Sequence, residues 1–260
     1  MSQKRPFRRF ARATAPLATL LTAAALGWSV GAAAPNPAPT PAPAAPVLVE
    51  LFTSQGCSSC PPADAFLKEL AERDDVIALS FHVDYWDRLG WRDPYANSWN
   101  TRRQHTYQAA LSQPYVYTPQ MVVGGREQAV GADRATVGRI LDRQRREGAA
   151  VALSLERVDS GQARLGIAAA PGLTGRLTLF GFDRKPDTDV KAGENAGRRL
   201  LNVNVVAVTE DLGRWTGEAV DRVIPLPEVK PGRGYALVLT QEGGAPATRV
   251  LAAARVRPLP

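Results

Sequence analysis

The chain has 260 residues, 45% of them hydrophobic and 22% charged, a balance that belongs to globular proteins and excludes wholesale disorder. Its length suits two domains. The formal charge of +7 suggests a nucleic-acid binder, but Lys4, Arg5, Arg8, Arg9 and Arg12 supply five of those charges within the first twelve residues, and the +2 that remains is too small for a phosphate-binding surface.

Taken in chain order, the basic start runs into an apolar stretch over residues 13–30 and then into small residues over 31–34. That three-part pattern is a secretory signal, so residues 1–34 are expected to direct export to a periplasmic or extracellular location. The apolar stretch approaches spanning length, but Pro16 and three threonines weaken it, so cleavage is expected without stable membrane insertion. Residues 35–46 alternate proline with small residues and read as a tether. A buried strand is predicted over 47–52, ending before Gln55-Gly56, and an amphipathic helix over 62–72 with Ala63, Phe66, Leu67 and Leu70 on one face. A second buried strand follows over 76–83.

Residues 84–112 concentrate Tyr85, Trp86, Trp91, Tyr95, Trp99 and Tyr107, with a helix predicted over 97–111. A strand over 121–123, a Gly124-Gly125 turn and a strand over 127–130 make a hairpin, and a helix over 134–146 carries Val137, Ile140 and Leu141 on one face. From residue 150 the pattern changes to seven short strands, over 151–158, 163–170, 176–183, 201–208, 219–226, 235–241 and 248–256. Turn residues such as Asp159-Ser160-Gly161, Pro171-Gly172 and Gly243-Gly244 separate them, which suggests an all-β sandwich of immunoglobulin-like outline.

The chain's two cysteines form one motif, Cys57-Ser58-Ser59-Cys60. A disulfide there closes almost no loop and adds little stability, so redox chemistry explains the pair better than stapling does. Strand, Cys-x-x-Cys, helix is the order that dithiol exchange needs. The strand end projects Cys57 outward as the attacking, accessible thiol, and the helix start lowers its pKa. Cys60 resolves the mixed disulfide. Pro61-Pro62 is tolerated only in a first helical turn, so the regular helix can begin as late as Cys60, which loosens its grip on the attacking sulfur. Glu50, an acid inside an apolar strand, is expensive unless partnered, and suits either a proton shuttle or a strand-end ion pair. His82 beside Asp84 suits either a satisfied core position or a third metal ligand with Cys57 and Cys60.

The stretch Glu50-Leu-Phe-Thr-Ser-Gln-Gly-Cys-Ser-Ser-Cys-Pro-Pro-Ala-Asp64, together with Tyr117-Thr-Pro-Gln-Met-Val-Val123, resembles a family of exported bacterial thioredoxin-like proteins catalogued as a domain of unknown function. His82-Val-Asp-Tyr-Trp-Asp87 and Gly193-Glu-Asn-Ala-Gly197 are similar to that family too, so the resemblance spans about residues 47–257. It implies a thioredoxin-like α/β domain over 47–148, followed by the β-sandwich over 149–260. It also implies that Pro119 is cis and faces the dithiol. Thr118, Tyr117 and Trp86 would then bind substrate, the aromatic insertion serving as a small lid, and Glu50 would take the proton of the resolving thiol. The expected function is an extracytoplasmic thiol–disulfide oxidoreductase acting on protein thiols and disulfides or on small thiols, with no organic cofactor. Two alternatives stay open: a copper- or other metal-handling protein using Cys57, Cys60 and His82, and a partner-binding module with a vestigial dithiol.

Overall fold

Strands β1 (Val47–Thr53) and β2 (Val76–His82) run parallel, from Val47 beside Val76 to Thr53 beside His82, and every residue of both is buried. They belong to a computed structural model that describes residues 45–243 and 248–256; the expected signal and most of the tether lie outside the described residues. Helix α1 (Pro61–Ala71) connects the two strands and buries Ala63, Phe66, Leu67 and Leu70 in one core with Val49, Leu51 and Ala78. Strand β3 (Gln120–Val123) pairs antiparallel with β1 and with β4 (Glu127–Val130). The hairpin turns at Gly124 and Gly125, φ +58° and +67°, the successive left-handed residues that a two-residue turn requires. Helix α2 (Ser98–Ala110) is capped by Asn97, whose side chain accepts the Asn100 N–H at 3.0 Å. Helix α3 (Arg134–Glu147) is capped the same way, the Asp133 side chain accepting the Thr136 N–H at 3.0 Å.

All seven later strands form: β5 (Leu153–Arg157), β6 (Gln162–Ile167), β7 (Gly175–Asp189), β8 (Arg199–Trp215), β9 (Val220–Pro225), β10 (Arg233–Gln241) and β11 (Val250–Val256). They do not make a second domain. Four of them extend the first sheet, whose strand order is β11-β10-β7-β8-β2-β1-β3-β4, and only β5-β6-β9 stand apart as a three-stranded sheet. The junction is β8 beside β2, with Ser80 opposite Val205 and the Asn204 Nδ2 donating to the Ala78 carbonyl at 2.9 Å. A discrete thioredoxin-like α/β domain followed by an immunoglobulin-like sandwich is therefore the wrong description. The chain forms a large mixed eight-stranded sheet that crosses the boundary expected near residue 148.

The physical reason lies in β2. Val-Ile-Ala-Leu-Ser-Phe-His is apolar on both faces, and a strand so buried cannot leave its second edge of N–H and C=O groups without partners. β8 pairs with that edge at Ser80, and the side chains of Asn204, Arg255 and Asn100 serve the carbonyls of Ala78, Val76 and His82. One core then runs across the junction, joining Leu48, Phe52 and Phe81 to Phe180, Val206 and Val238. The opposite face of β7 and β10 packs Leu179, Leu237 and Leu239 against Leu155, Leu165 and Ile224 of the small sheet.

Glu50 lies inside this fold as half of a buried ion pair. Its carboxylate accepts from Arg103 Nε at 2.6 Å and from the Tyr107 hydroxyl, while the Arg103 guanidinium sits 5.1–5.6 Å from the ring centres of Phe81, Trp99, Tyr107 and Phe180. Removing one partner of a buried pair orphans the other charge, at a typical cost of about 3–5 kcal/mol. Arg103→Met should lower unfolding stability by that order in urea titrations, and adding Glu50→Gln should recover a large part. A loss below about 1 kcal/mol for Arg103→Met would refute the pair's structural role.

Candidate functional site

The site begins where β1 ends. Thr53, Ser54, Gln55 and Gly56 are all buried, and the Cys57 N–H returns to the Ser54 carbonyl at 3.1 Å in a tight turn. A second turn carries the Cys60 N–H to the Cys57 carbonyl at 3.2 Å. Helix α1 then starts with Cys60 as its N-cap residue and Pro61 and Pro62 in the first turn, where missing N–H groups cost nothing. Cys57 is thus one turn ahead of the regular helix. Cys57 and Cys60 are joined as a disulfide, with Cα atoms 5.4 Å apart.

Both cysteines are 0% exposed, whereas Ser58 and Ser59 between them are exposed. In this disulfide form neither cysteine is open to solvent, and later parts of the chain pack against the turn that carries them. Gly56 lies against Trp86, where a Cβ would come within 3.1 Å of the tryptophan Cβ. The Trp86 indole N–H donates to Thr118 Oγ1 at 2.9 Å, tying the dithiol turn to the Thr118–Pro119 segment. From the turn between β7 and β8, Asn195 donates its Nδ2 to the Gln55 carbonyl at 2.9 Å and the Cys57 carbonyl at 2.8 Å. Glu194 Oε2 accepts the Ser58 N–H at 3.0 Å.

The Thr118–Pro119 bond is cis. The Pro119 carbonyl accepts the Gly131 N–H at 2.8 Å, and Gly131 also lies against Ala63, so the proline stands beside the first turn of α1. Tyr117 gives its carbonyl to Gln104 Nε2 at 2.7 Å and its hydroxyl to Gln128. Of the four side chains expected to handle substrate, Trp86, Thr118 and Pro119 cluster near the dithiol turn, and Tyr117 is held by α2 and β4.

Glu50 is not brought to the dithiol. Alternation along β1 places Glu50 on the face shared by Leu48 and Phe52, while α1 covers the face of Val49 and Leu51. The acid on the dithiol's own face is Asp64, four residues after Cys60 on α1 and so on the same side of the helix. Its Oδ1 accepts from Thr53 Oγ1 at 2.9 Å. Burial pushes its carboxyl up to about 7, against the opposing pull of His82 and the Thr53 hydrogen bond and with a small push from Asp93. His82 pairs with Asp93 and not with its neighbour Asp84, which is held by Thr101 at 2.6 Å. His82 Nδ1 lies 2.7 Å from Asp93 Oδ2, and Asp93 also accepts the Gln55 N–H at 2.8 Å and the Tyr95 N–H at 2.9 Å. Burial opposes charge on His82, but the Asp93 carboxylate outweighs it and holds the imidazole above its ordinary pKa. Gln55 completes the knot, donating to Thr188 at 3.0 Å and Asn202 at 2.9 Å and accepting from Trp91 at 3.1 Å.

Among the described residues, no group of three or more His, Cys, Asp and Glu is close enough to hold a metal ion. Cys57, Cys60 and His82 therefore do not form the three-ligand metal site considered from the sequence. Of the described helices, none is long and apolar enough to cross a membrane. Sequence reasoning passed over Asp64, Asp93, Gln55, Glu194 and Asn195. Asp64 and the Glu194-Asn195 pair do stand inside the motifs quoted above, and that was the available signal.

Asp64 and His82 both carry folded-state pKa values above their ordinary ones. Each favours the folded form when protonated, so its contribution is complete at low pH and fades as pH rises through the folded value. For Asp64 that window runs from about 4 to about 7. The oxidised protein should lose urea stability between pH 5 and pH 8, and Asp64→Asn should flatten that slope. An unchanged slope in the variant would show that Asp64 is not the group responsible.

No curated protein matches the chain. Among solved structures, it is similar to protein AGR_C_4864 from Agrobacterium tumefaciens, at 34% identity and a TM-score of 0.71, covering 82% of this chain and 95% of that one. It is also similar in fold to HBP35 of Porphyromonas gingivalis, at 15% identity and a TM-score of 0.57, covering 82% of this chain and 75% of that one. A family model described as "Protein of unknown function (DUF1223)" matches residues 48–241, and the chain belongs to that family.

Proposed function

We propose that this protein is an exported thiol–disulfide oxidoreductase that exchanges electrons through Cys57 and Cys60. The observation that carries the reading is the disulfide at the start of α1 with an ionisable carboxyl, Asp64, one helical turn behind it. A bridge between residues three apart does almost nothing for chain entropy, and a carboxyl pushed up to about 7 one helical turn along is what a proton transfer would use. Export by residues 1–34 would carry the pair to a compartment where disulfides persist.

In the reducing direction, the Cys57 thiolate attacks one sulfur of a substrate disulfide and displaces the other sulfur as a thiolate. Cys60 then loses its proton to Asp64 and attacks the Cys57 sulfur. That step forms the Cys57–Cys60 bond and releases the second substrate thiolate, so two electrons pass to the substrate. Run backwards, the same steps oxidise a substrate dithiol. Trp86, Thr118 and Pro119 border the turn that would receive an extended peptide, and Tyr117 holds their segment in place. Protein thiols and disulfides or small thiols are the substrate class.

Cys60→Ser should trap partners on Cys57 as adducts that vanish on reduction and are missing from Cys57→Ser. A folded Cys60→Ser protein that traps nothing in cells would favour a vestigial dithiol and end the oxidoreductase reading. Asp64→Asn tests the proton step separately. General-base contributions commonly reach tenfold or more, so release of a mixed disulfide should slow roughly tenfold near pH 7.5, where a carboxyl pushed up to about 7 is mostly ionised. The difference should disappear near pH 9, where a free thiol ionises unaided. Equal rates at both pH values would remove Asp64 from the mechanism.

A further inference from the structure

The segment Gly193-Glu194-Asn195-Ala196-Gly197 supplies no group to the exchange chemistry, yet it rests on the dithiol turn. Asn195 is fully buried, with its Nδ2 shared between the Gln55 and Cys57 carbonyls and its Oδ1 accepting from Arg198 at 2.8 Å. Gly193, at φ +73°, lies against Trp91, where a Cβ would come within 3.2 Å of the tryptophan Cβ. Glu194, by contrast, is exposed, and its carboxylate binds the Ser58 N–H, the backbone amide immediately after Cys57. The turn is thus anchored by a buried amide and closed by an exposed charge.

We propose that Glu194 is an electrostatic latch, holding the β7–β8 turn shut over the Cys57–Cys60 disulfide and released when Cys57 becomes a thiolate. The proposal rests on the exchange reading, since it needs a couple that cycles. A disulfide carries no charge, so the Ser58 N–H is free to serve a carboxylate. The Ser58 side chain first, and that N–H second, hold the Glu194 carboxyl below its usual range by hydrogen bonding. Reduction brings two electrons and two protons to the sulfurs, and loss of the Cys57 proton leaves a negative charge beside that same amide. A cysteine thiolate in the turn ahead of a helix draws on just such backbone donors. Carboxylate and thiolate then compete for one N–H and repel each other. The other charged groups around the turn, Asp64 on α1, His82 on β2, Asp93 ahead of α2 and Arg198 beside β8, do not bind the Ser58 amide. Coupling is reciprocal: if the closed turn favours the disulfide, the disulfide favours the closed turn by the same factor. Glu194 therefore acts through Ser58 as a positioning residue, and it both sets the potential of the couple and hides the oxidised site from solvent.

The test is equilibration of the full-length protein with defined glutathione buffers, for the parent, Glu194→Gln and Glu194→Ala, at low salt and in about 1 M NaCl. Both variants should shift the equilibrium three- to tenfold toward the dithiol, tenfold being about 30 mV. High salt should shrink the shift, because an exposed charge is screened. Amide exchange of residues 193–198 in the parent should quicken on reduction. A Glu194→Gln equilibrium within twofold of the parent at low salt overturns the proposal, as does a shift seen only in Glu194→Ala, which would mark a packing role. Equal amide protection in both redox states overturns it as well. A couple that cycles but ignores position 194 defeats this inference alone, whereas a parent disulfide that dithiothreitol cannot open defeats the exchange reading along with it.

Discussion

A strand buried on both faces must satisfy its backbone along both edges, because no water reaches it to do so. β2 is such a strand, with β1 along one edge and β8 along the other. β8 cannot reach that edge alone, since it is one arm of the long β7–β8 hairpin, and the hairpin's far end carries residues 190–198 to the dithiol turn. Completing the hydrogen bonds of an internal strand therefore delivers Asn195 and Glu194 to Cys57 and Ser58. Core and site share one cause.

The polar knot below the disulfide depends on the same pairing. Gln55 ties the end of β1 to Thr188 and Asn202 of the hairpin and to Trp91 and Asp93 of the aromatic insertion. Gln55, Asp93 and Asn202 are buried and Thr188 and Trp91 half-buried, and the buried groups would be costly to hold without partners. Three stretches of chain that are remote in sequence thus fix the backbone on which Cys57 stands. His82 and Asp93, hydrogen-bonded to each other, form a second layer behind the half-buried carboxyl of Asp64. Burial pushes the Asp64 carboxyl up to about 7, while the His82 partner keeps the Asp93 carboxyl below its usual range.

Local order was legible in the sequence because it follows from periodicity and caps. Ala63, Phe66, Leu67 and Leu70 announced α1, Asn97 began α2, and Gly124-Gly125 turned the hairpin where expected. The Cys57–Cys60 motif is read within four residues, whereas a cis Pro119 was what the family resemblance implied. The pairing of β8 with β2 was not, because nothing within either strand names its neighbour. One clue was present: Tyr235-Ala-Leu-Val-Leu239 is apolar at every position, whereas a strand of a two-layer sandwich alternates. That run marked a strand covered on both faces, and so a sheet larger than a small sandwich. Of the two readings of Glu50, the ion pair is the one that forms, but its partners Arg103 and Tyr107 lie more than fifty residues away on α2, where no local pattern names them.

The junction at Ser80 and Val205 also governs how this chain can change over evolutionary time or in the laboratory. Many redox proteins are modular, with a small catalytic unit that can be excised, fused or duplicated. Here a cut near residue 148 would bare one long edge of β2 together with Phe52, Phe81 and their neighbours, a sticky apolar rim that invites association between molecules. The two halves must be made and folded as one piece. Gene fusions and duplications can therefore be accommodated at the termini, but not by separating residues 47–148 from the strands that follow.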